Sequence, residues 1–194
     1  MRTIILLTYL LLSLSVFSQS EIILSDGVLK INNHVITDPS NKQAIDQAIG
    51  TSGRHQLIIK THKEGVKLEN DTKHHVLTYK EKAIKVELSA PGYKFEEVLV
   101  RMSIEPLHDL PRRLQKKPFV LYQGIVQIGE AKLNNQLRFE QIDSLFNPAD
   151  IIMKGNKVFN KKTVPYAIIK HQDWLIELMF SYKSSLIKYV SIKH

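Results

Sequence analysis

The sequence predicts an α+β fold made of two tandem related units, each an antiparallel sheet with one helix packed on it. Residues 27–50 align without gaps on residues 124–147, and residues 76–89 align on residues 168–181, with the apolar positions coinciding. In each copy a helical apolar period is followed by the alternation typical of strands. Because both signals recur in the same order, we infer that one supersecondary unit was duplicated.

Residues 1–18 precede these units and differ from them in composition. Arg2 comes before an apolar stretch that continues to Phe17, and Ser18 ends it. This pattern is typical of a secretory signal peptide cleaved after Ser18, with a retained anchor as the alternative. The stretch is shorter than the roughly 20 apolar residues of a spanning helix. We therefore expect a secreted or periplasmic protein that is soluble after cleavage.

Each unit is predicted to begin with a hairpin and to continue into a helix. The hairpins turn around Asn32-Asn33 and Gly129-Glu130. Asp38 and Asn135 are the predicted N-caps, because their side chains can accept hydrogen bonds from free helix amides. Gly50 and Asn147 are the predicted stops, since both tolerate the left-handed conformation. The amphipathic stripes between them are Ala44, Ile45, Ala48 and Ile49 in the first copy and Phe139, Ile142, Leu145 and Phe146 in the second.

Antiparallel strands complete each unit. Turns are predicted near Lys80-Glu81 and Gln172-Asp173. Alternation then places matching apolar residues on one face of the next strand. A last strand follows in each copy. The matched positions are Ile84, Val86 and Leu88 with Ile176, Leu178 and Phe180, and then Val98 and Val100 with Val190 and Ile192.

The predicted organisation is a first unit at 22–104, a basic linker at 105–123 and a second unit at 124–194. The linker resists helix and sheet because it contains three prolines, Pro106, Pro111 and Pro118. The sequence leaves open whether the two units share one continuous sheet.

In element order, residues 22–193 resemble the duplicated helix-plus-antiparallel-sheet domains of exported bacterial proteins of unknown function. More distantly they resemble the tandem-repeat beta-lactamase inhibitor proteins and the small SmpA-like outer-membrane assembly lipoproteins. The chain contains no Cys, so it lacks the thiol that is acylated in lipoproteins. The resemblance implies binding rather than catalysis.

Basic residues are concentrated in the linker and the second unit. Residues 19–105 hold 12 Lys plus Arg and 12 Asp plus Glu, whereas residues 106–194 hold 14 against 7. Clustered cations are the electrostatic pattern of a polyanion site, but a solvated linker and loop that keep the protein soluble are the favoured interpretation. The two candidate clusters are Arg112, Arg113, Lys116 and Lys117 in the linker, and Lys154, Lys157, Lys161 and Lys162 in the loop after the second helix.

One strand of the second unit carries apolar residues on both faces. Trp174, Leu175 and Met179 stand where the first copy has Lys82, Ala83 and Glu87. Trp and Met supply large contact areas in recognition surfaces. We therefore predict a partner-binding face formed by Trp174, Leu175, Met179 and His171, with packing of these side chains on the linker or the first unit as the alternative. Its rim could include Tyr79, Tyr122, Tyr166 and Tyr189.

No catalytic or metal-binding pattern is present in the sequence. The absence of Cys excludes disulfides and thiol catalysis. G-x-S-x-G and H-E-x-x-H do not occur. His74 and His75 are adjacent, so on a strand they point to opposite faces, and His55 is expected in a loop. Glu96 and Glu97 are expected at a solvated strand edge. We thus expect no catalytic residue, no metal and no cofactor.

The leading functional prediction is an exported, non-enzymatic protein that recognises a protein partner through the sheet face of the second unit. Two alternatives stay open: an envelope structural or assembly factor that binds anionic surface polymers, and an unrecognised hydrolase. Specific nucleic-acid binding is disfavoured, because no aromatic residues are interleaved with the basic clusters.

Overall fold

The computed structural model describes residues 20–60, 72–90, 92–104, 120–159 and 162–194. The predicted signal peptide and most of the predicted linker, with its four basic residues, lie outside the described residues. None of the helices in the described part is long and apolar enough to cross a membrane.

The described residues form two β-sheets and a few short helices. The helices are α1 (Lys42–Ile49) and α2 (Ile142–Leu145), and single 3-10 turns occur at Lys80–Lys82, Phe139–Gln141 and Pro148–Asp150. The strands are β1 (Glu21–Ser25), β2 (Val28–Ile31), β3 (His34–Val35), β4 (Arg54–Lys60), β5 (Thr72–Tyr79), β6 (Ile84–Ala90), β7 (Phe95–Arg101), β8 (Ile125–Ile128), β9 (Ala131–Leu133), β10 (Ile151–Phe159), β11 (Lys162–His171), β12 (Trp174–Phe180) and β13 (Ile187–Lys193).

Both sheets contain strands from both halves of the chain. The five-stranded sheet has the order β3-β2-β1-β8-β9, and the eight-stranded sheet has the order β10-β11-β12-β13-β7-β6-β5-β4. All pairs are antiparallel except β1 with β8. The prediction of antiparallel sheets is therefore confirmed. The α+β layout of two units, each with one helix packed on its own sheet, is not confirmed, because the fold is mostly β. The question that the sequence left open is answered for the described residues: the halves share each sheet.

One apolar cluster joins the two sheets and the two helices. Ile22 and Leu24 contribute from β1, while Val86 and Leu178 contribute from the eight-stranded sheet, and all four are fully buried. Side chains alternate along each strand. The eight-stranded sheet therefore has an inner face that carries this core and an outer face that points away from it.

Both predicted hairpin turns are confirmed. Asn32 and Asn33 have φ of 49° and 67°, the conformation of a type I′ turn, whose twist matches that of paired strands. Gly129 has φ of 55° in the β8–β9 turn. The sequence prediction missed β1, which forms a further hairpin with β2 through Asp26 and Gly27, at φ of 51° and 74°.

Helix α1 begins three residues later than predicted. Asn41 is its N-cap, with Oδ1 accepting from the backbone N–H of Ala44 at 2.9 Å. Asp38 is not the cap, because its Oδ1 accepts from the backbone N–H of Phe95 at 2.6 Å and so fastens the chain to β7. Gly50 ends the helix with φ of 110°, as predicted.

The second helix is much shorter than predicted. Asn135 does not cap it, since the backbone of the following residues pairs with the start of β13. The carbonyl of Leu137 accepts from the N–H of Ile187 at 2.8 Å, and Arg138 forms an isolated bridge with Leu186. Asn147 has φ of −60° and caps the next 3-10 turn instead of closing the helix. Ile142 is still fully buried, as its place in the apolar stripe predicts.

The segment after α2 is a strand rather than the predicted loop. Strand β10 forms one edge of the eight-stranded sheet and contains Lys154 and Lys157, while Lys162 begins β11. His55, predicted in a loop, likewise lies on the opposite edge strand β4. Each half thus adds four consecutive antiparallel strands, β4–β7 and β10–β13, to the eight-stranded sheet.

Candidate binding surface

The predicted partner face is divided between the two faces of the eight-stranded sheet. His171 and Trp174 pair with one another across β11 and β12 and lie on the inner side. Leu175 pairs with Lys193, and Met179 pairs with Tyr189, on the outer face. The prediction that Trp174, Leu175 and Met179 share one open face is therefore wrong, since strand alternation separates Trp174 from the other two.

Trp174 belongs to the core. It is 6% exposed, and its Nε1 donates to the carbonyl of Gly27 at 3.0 Å. Its ring packs on Phe95 and His194, with centroids 5.6 Å and 4.6 Å apart. The left-handed turn at Gly27 brings this carbonyl to the indole, because the hairpin reverses there. Packing on the first half of the chain was the alternative prediction, and it is the arrangement observed.

His171 lies at the end of β11, where its ring rests against Gly129. The ring is half-buried, and its Nε2 has no hydrogen-bond partner within the described ranges. Tyr79 and Tyr122, named as possible rim residues, are buried in the core at 3% and 2% exposure. Burial first, then the hydrogen bond to Asp46, raises the pKa of Tyr79. The Tyr79 hydroxyl donates to Asp46 of α1, and the Tyr122 hydroxyl donates to the carbonyl of Ser20 beside β1, so both side chains belong to the packed interior.

The outer face carries a groove across the β7–β13 junction. Two adjoining cavities, of about 420 and 350 Å³, share Leu99, Arg101 and Tyr189. The first is lined also by Thr78, Tyr79, Lys80, Ala83, Ile84, Lys85 and Val120, and the second by Glu97, Lys157, Phe159, Glu177, Met179 and Ser191. We call this continuous surface the outer groove.

Arg101 is the cation at the centre of the outer groove. Its guanidinium carbon lies 5.7 Å from the centroid of the Tyr189 ring, within the range of a cation–π interaction. The side chain is half-buried and makes no ion pair with any described residue. An Arg in this position offers a planar set of donors to a carboxylate or phosphate.

The acidic groups of the outer groove are already compensated. Glu177 lies 3.0 Å from Lys193 Nζ and 4.0 Å from Lys157 Nζ, and Glu97 accepts a hydrogen bond from Ser191 Oγ. Among the described residues that line the first cavity, Lys80, Lys85 and Arg101 are charged and none carries a carboxylate. The groove therefore combines apolar wall with an excess of positive charge.

Apolar side chains flank Arg101 on the outer face. Leu99 lies between the two cavities, and Met179 and Phe159 line the second. Phe159 is 42% exposed, as is Leu175 farther along β12. Of the predicted partner-binding residues, the structure thus places Met179 in the groove and Leu175 on the same face outside its lining.

The predicted lysine cluster is dispersed where the structure describes it. Lys154 bonds to Asp143, and its Nζ lies 5.1 Å from the Phe139 ring centroid. Lys162 Nζ donates to the Tyr182 hydroxyl at 2.8 Å. Lys157 faces the groove, and Lys161 lies outside the described residues. The described members therefore have separate partners and do not form one cationic patch.

Sequence reasoning missed the centre of the outer groove. The signal was the continuous apolar run Val98-Leu99-Val100, which is typical of a strand covered on both faces. Val98 and Val100 face the core, while Leu99 faces outward. The role of Arg101 depends on Tyr189, which is distant in sequence.

No protein-family model matches this chain, and neither a curated protein nor a solved structure matches it.

Proposed function

We propose that this chain is an exported, non-enzymatic binding protein that takes an acidic segment of a protein partner into the outer groove. The observation that carries the proposal is Arg101, a half-buried guanidinium without an ion pair among the described residues, at the junction of two cavities. The site differs from the predicted one, because both halves of the chain contribute to it.

The lining favours a peptide with a carboxylate beside a large apolar side chain. Arg101 would bind the carboxylate through two parallel hydrogen bonds. Leu99, Met179 and Phe159 would cover the apolar side chain, as the apolar centre of a recognition surface does. Lys80 and Lys85 would raise the association rate of an acidic segment by long-range attraction.

An array of random-sequence decapeptides, probed with the chain from residue 19 onward, tests this proposal. We expect the bound peptides to be enriched in Asp or Glu next to Phe, Leu or Met, and binding to weaken as salt rises. Enrichment of basic peptides, or no binding by any peptide, would contradict the proposal.

Arg101→Gln is the decisive variant. Loss of a charged hydrogen-bond pair should reduce the affinity for the selected peptides by about tenfold or more. Arg101→Lys should retain part of the affinity, because the charge remains while the planar donor set is lost. Lys132→Gln is the matched control, since Lys132 is exposed on β9 and lies outside the outer groove. Equal binding by Arg101→Gln and the control would refute the role of Arg101.

A further inference from the structure

Three side chains from three neighbouring strands meet beside the outer groove. His74 comes from β5, Glu87 from β6 and Glu96 from β7. The β6–β7 register shifts between Glu87 and Leu88, which face Glu97 and Phe95, so Glu96 is an additional residue at this point. Such a bulge redirects a side chain. Here it brings the Glu96 carboxylate to the His74 ring.

The donor atoms of these residues are close together. One ligand atom from each lies within 4.8 Å of the other two. His74 Nδ1 is 3.4 Å from Glu87 Oε1 and also contacts the Glu96 carboxylate directly. Ligands in a tetrahedral site with bonds of about 2.1 Å are about 3.4 Å apart, so the His74–Glu87 spacing already fits such a site.

The His74 imidazole makes polar contacts with the carboxylates of Glu87 and Glu96. The His74 side chain is 7% exposed and that of Glu87 is 2% exposed. His74 Nε2 has no hydrogen-bond partner in the part of the chain that the structure describes. Nδ1 is therefore the atom through which this buried ring makes its polar contacts with described residues.

Charged residues lie directly beside the cluster. Glu97 faces Glu87 across the strands, and Lys85 Nζ lies 3.4 Å from Glu87 Oε2. Buried charges are costly unless they are paired or coordinate a metal. A divalent cation between His74, Glu87 and Glu96 would be bound by both carboxylates and by the imidazole.

We propose that His74, Glu87 and Glu96 form a binding site for a divalent transition metal of the zinc class. An imidazole nitrogen with two carboxylate oxygens is a ligand set that Zn²⁺ accepts, whereas Mg²⁺ and Ca²⁺ favour sites made of oxygen alone. The Glu96 side chain is 31% exposed, so solvent reaches the site from that side and can supply a fourth ligand. Sequence spacing could not reveal the site, because its residues meet only across strands.

The test is titration of the chelator-treated, dialysed chain from residue 19 onward with Zn²⁺ alone, followed by calorimetry and thermal unfolding. We expect one equivalent to bind and to raise the melting temperature, because the metal binds the folded state. Mg²⁺ should give no shift at the same concentration. Absence of a stoichiometric Zn²⁺ site would overturn the proposal and leave the cluster as an ion pair of the fold.

Two variants locate the site. His74→Gln and Glu96→Gln should each reduce Zn²⁺ affinity by at least about tenfold, as loss of even an outer-shell group commonly does. Glu96→Gln is the safer variant for folding because its side chain is partly exposed. His171→Gln and His55→Gln are the controls, and they should bind as the parent chain does. Equal affinity in Glu96→Gln and the controls would refute the assignment. Peptide binding does not enter this measurement, so its outcome is independent of the proposed function.

Discussion

Leu99 faces Ser191 across the β7–β13 pair at the centre of the eight-stranded sheet. On either side, Val98 faces Ile192 and Val100 faces Val190. In the sequence alignment Val190 is the counterpart of Val98, and Ile192 is the counterpart of Val100. The register therefore follows a local twofold axis through Leu99 and Ser191. This symmetry supports the proposal that β4–β7 and β10–β13 are copies of one unit.

The twofold relation recurs in the smaller sheet, where β1 is the central strand. On one side β1 pairs antiparallel with β2, and Ile22 and Leu24 face Ile31 and Leu29. On the other side β1 pairs parallel with β8, and the same two residues face Val126 and Ile128. A twofold rotation about an axis through β1 therefore brings Leu29 onto Val126 and Ile31 onto Ile128, which are counterparts in the ungapped alignment. The hairpins β2–β3 and β8–β9 thus flank β1 as the aligned copies, which supports the proposed duplication.

The hairpin glycines provide a second local match beside the ungapped alignment. That alignment pairs Gly27 with Gly124, whereas the hairpin glycines with left-handed φ are Gly27 and Gly129. Matching these two also aligns Lys30, Asn32 and Asn33 with Lys132, Asn134 and Asn135. The two matches differ by five residues and pair β2 with different strands, β8 in the ungapped alignment and β9 in the second match. Both strands carry alternating buried residues, so the apolar pattern alone permits either match.

Trp174→Ala should destabilise the fold strongly. The change removes a buried ring and leaves the Gly27 carbonyl without its indole donor. We expect a loss of about 3–5 kcal/mol in the free energy of unfolding, measured by urea denaturation. Leu175→Ala is the control, because that side chain is 42% exposed on the outer face, and its effect should stay within about 0.5 kcal/mol. Similar stabilities for the two variants would place Trp174 outside the core.

Strand alternation was the part of the fold most accessible to sequence reasoning. Ile84, Val86 and Leu88 are buried, as are their counterparts Ile176, Leu178 and Phe180, since the period-two pattern specifies the core face directly. Strand β10 was missed because its large apolar residues are exposed, Val158 at 77%, so it carries no clear alternation.

The candidate sites were less accessible for a different reason. Arg101 and Tyr189 meet through the β7–β13 pairing, and His74 and Glu96 meet through a bulge. Neither contact has a spacing along the chain that would suggest it. The prediction for Trp174 was wrong in a different way. The alignment placed it on the correct strand, but its side chain was assigned to the outer face and lies on the inner face. Cross-strand register, which sequence pattern does not supply, decided the Arg101–Tyr189 and His74–Glu96 contacts, whereas alternation along β12 decided the face of Trp174.

Tyr79→Phe should destabilise the fold in a pH-dependent way. Burial by itself raises the pKa of Asp46. Hydrogen bonds from Lys42, from the Tyr79 hydroxyl and from the Ser52 backbone N–H have a larger, opposite effect, so the pKa of Asp46 lies below the ordinary value of 3.8. The ionised carboxylate is thus favoured in the folded state. Its stabilising effect is complete above pH 3.8 and is lost as the pH falls through the lowered folded pKa.

At neutral pH we expect Tyr79→Phe to cost about 1–3 kcal/mol, because a hydrogen bond to a charged group is lost. The cost should shrink in acid once Asp46 is protonated in the folded state. Urea denaturation of Tyr79→Phe and of the parent chain, at neutral pH and again at a pH below the folded pKa of Asp46, measures this change in the cost. Tyr182→Phe is the control, since its hydroxyl bonds to the exposed Lys162 and its removal should have little effect at either pH. A cost for Tyr79→Phe that did not change with pH would contradict the role of Asp46.

His55→Gln should raise the pKa of His75. Burial and then the charge of His55, whose Nε2 lies 3.0 Å from His75 Nδ1, lower that pKa below its ordinary value of 6.5. Because the folded pKa is lowered, stability is complete above pH 6.5 and falls as the pH drops through the folded value. Removing His55 should therefore make the stability of the fold less sensitive to acid.

An NMR titration of the His75 ring protons measures this pKa directly. The ring stacks on Tyr93 with centroids 4.4 Å apart, and this contact should persist in His55→Gln. His34→Gln, on the exposed strand β3, should leave the His75 pKa unchanged. A His75 pKa that is the same in His55→Gln and in the parent chain would show that burial alone lowers it.

Gly124→Ala should disrupt the connection between β1 and β8. A Cβ at this position would overlap the carbonyl oxygen of Ser20 and would also meet the Tyr122 hydroxyl, which donates to that oxygen at 2.6 Å. The clash involves backbone at the start of the parallel β1–β8 pair, so it cannot be relieved by rotating a side chain. We expect a loss of about 1–3 kcal/mol or more in the free energy of unfolding. Gly155→Ala is the matched control, because a Cβ there meets nothing within 4 Å, and its stability should equal or slightly exceed that of the parent chain. If thermal and urea unfolding gave the same stability for both alanine variants, the close approach of Ser20 to Gly124 would be absent in solution.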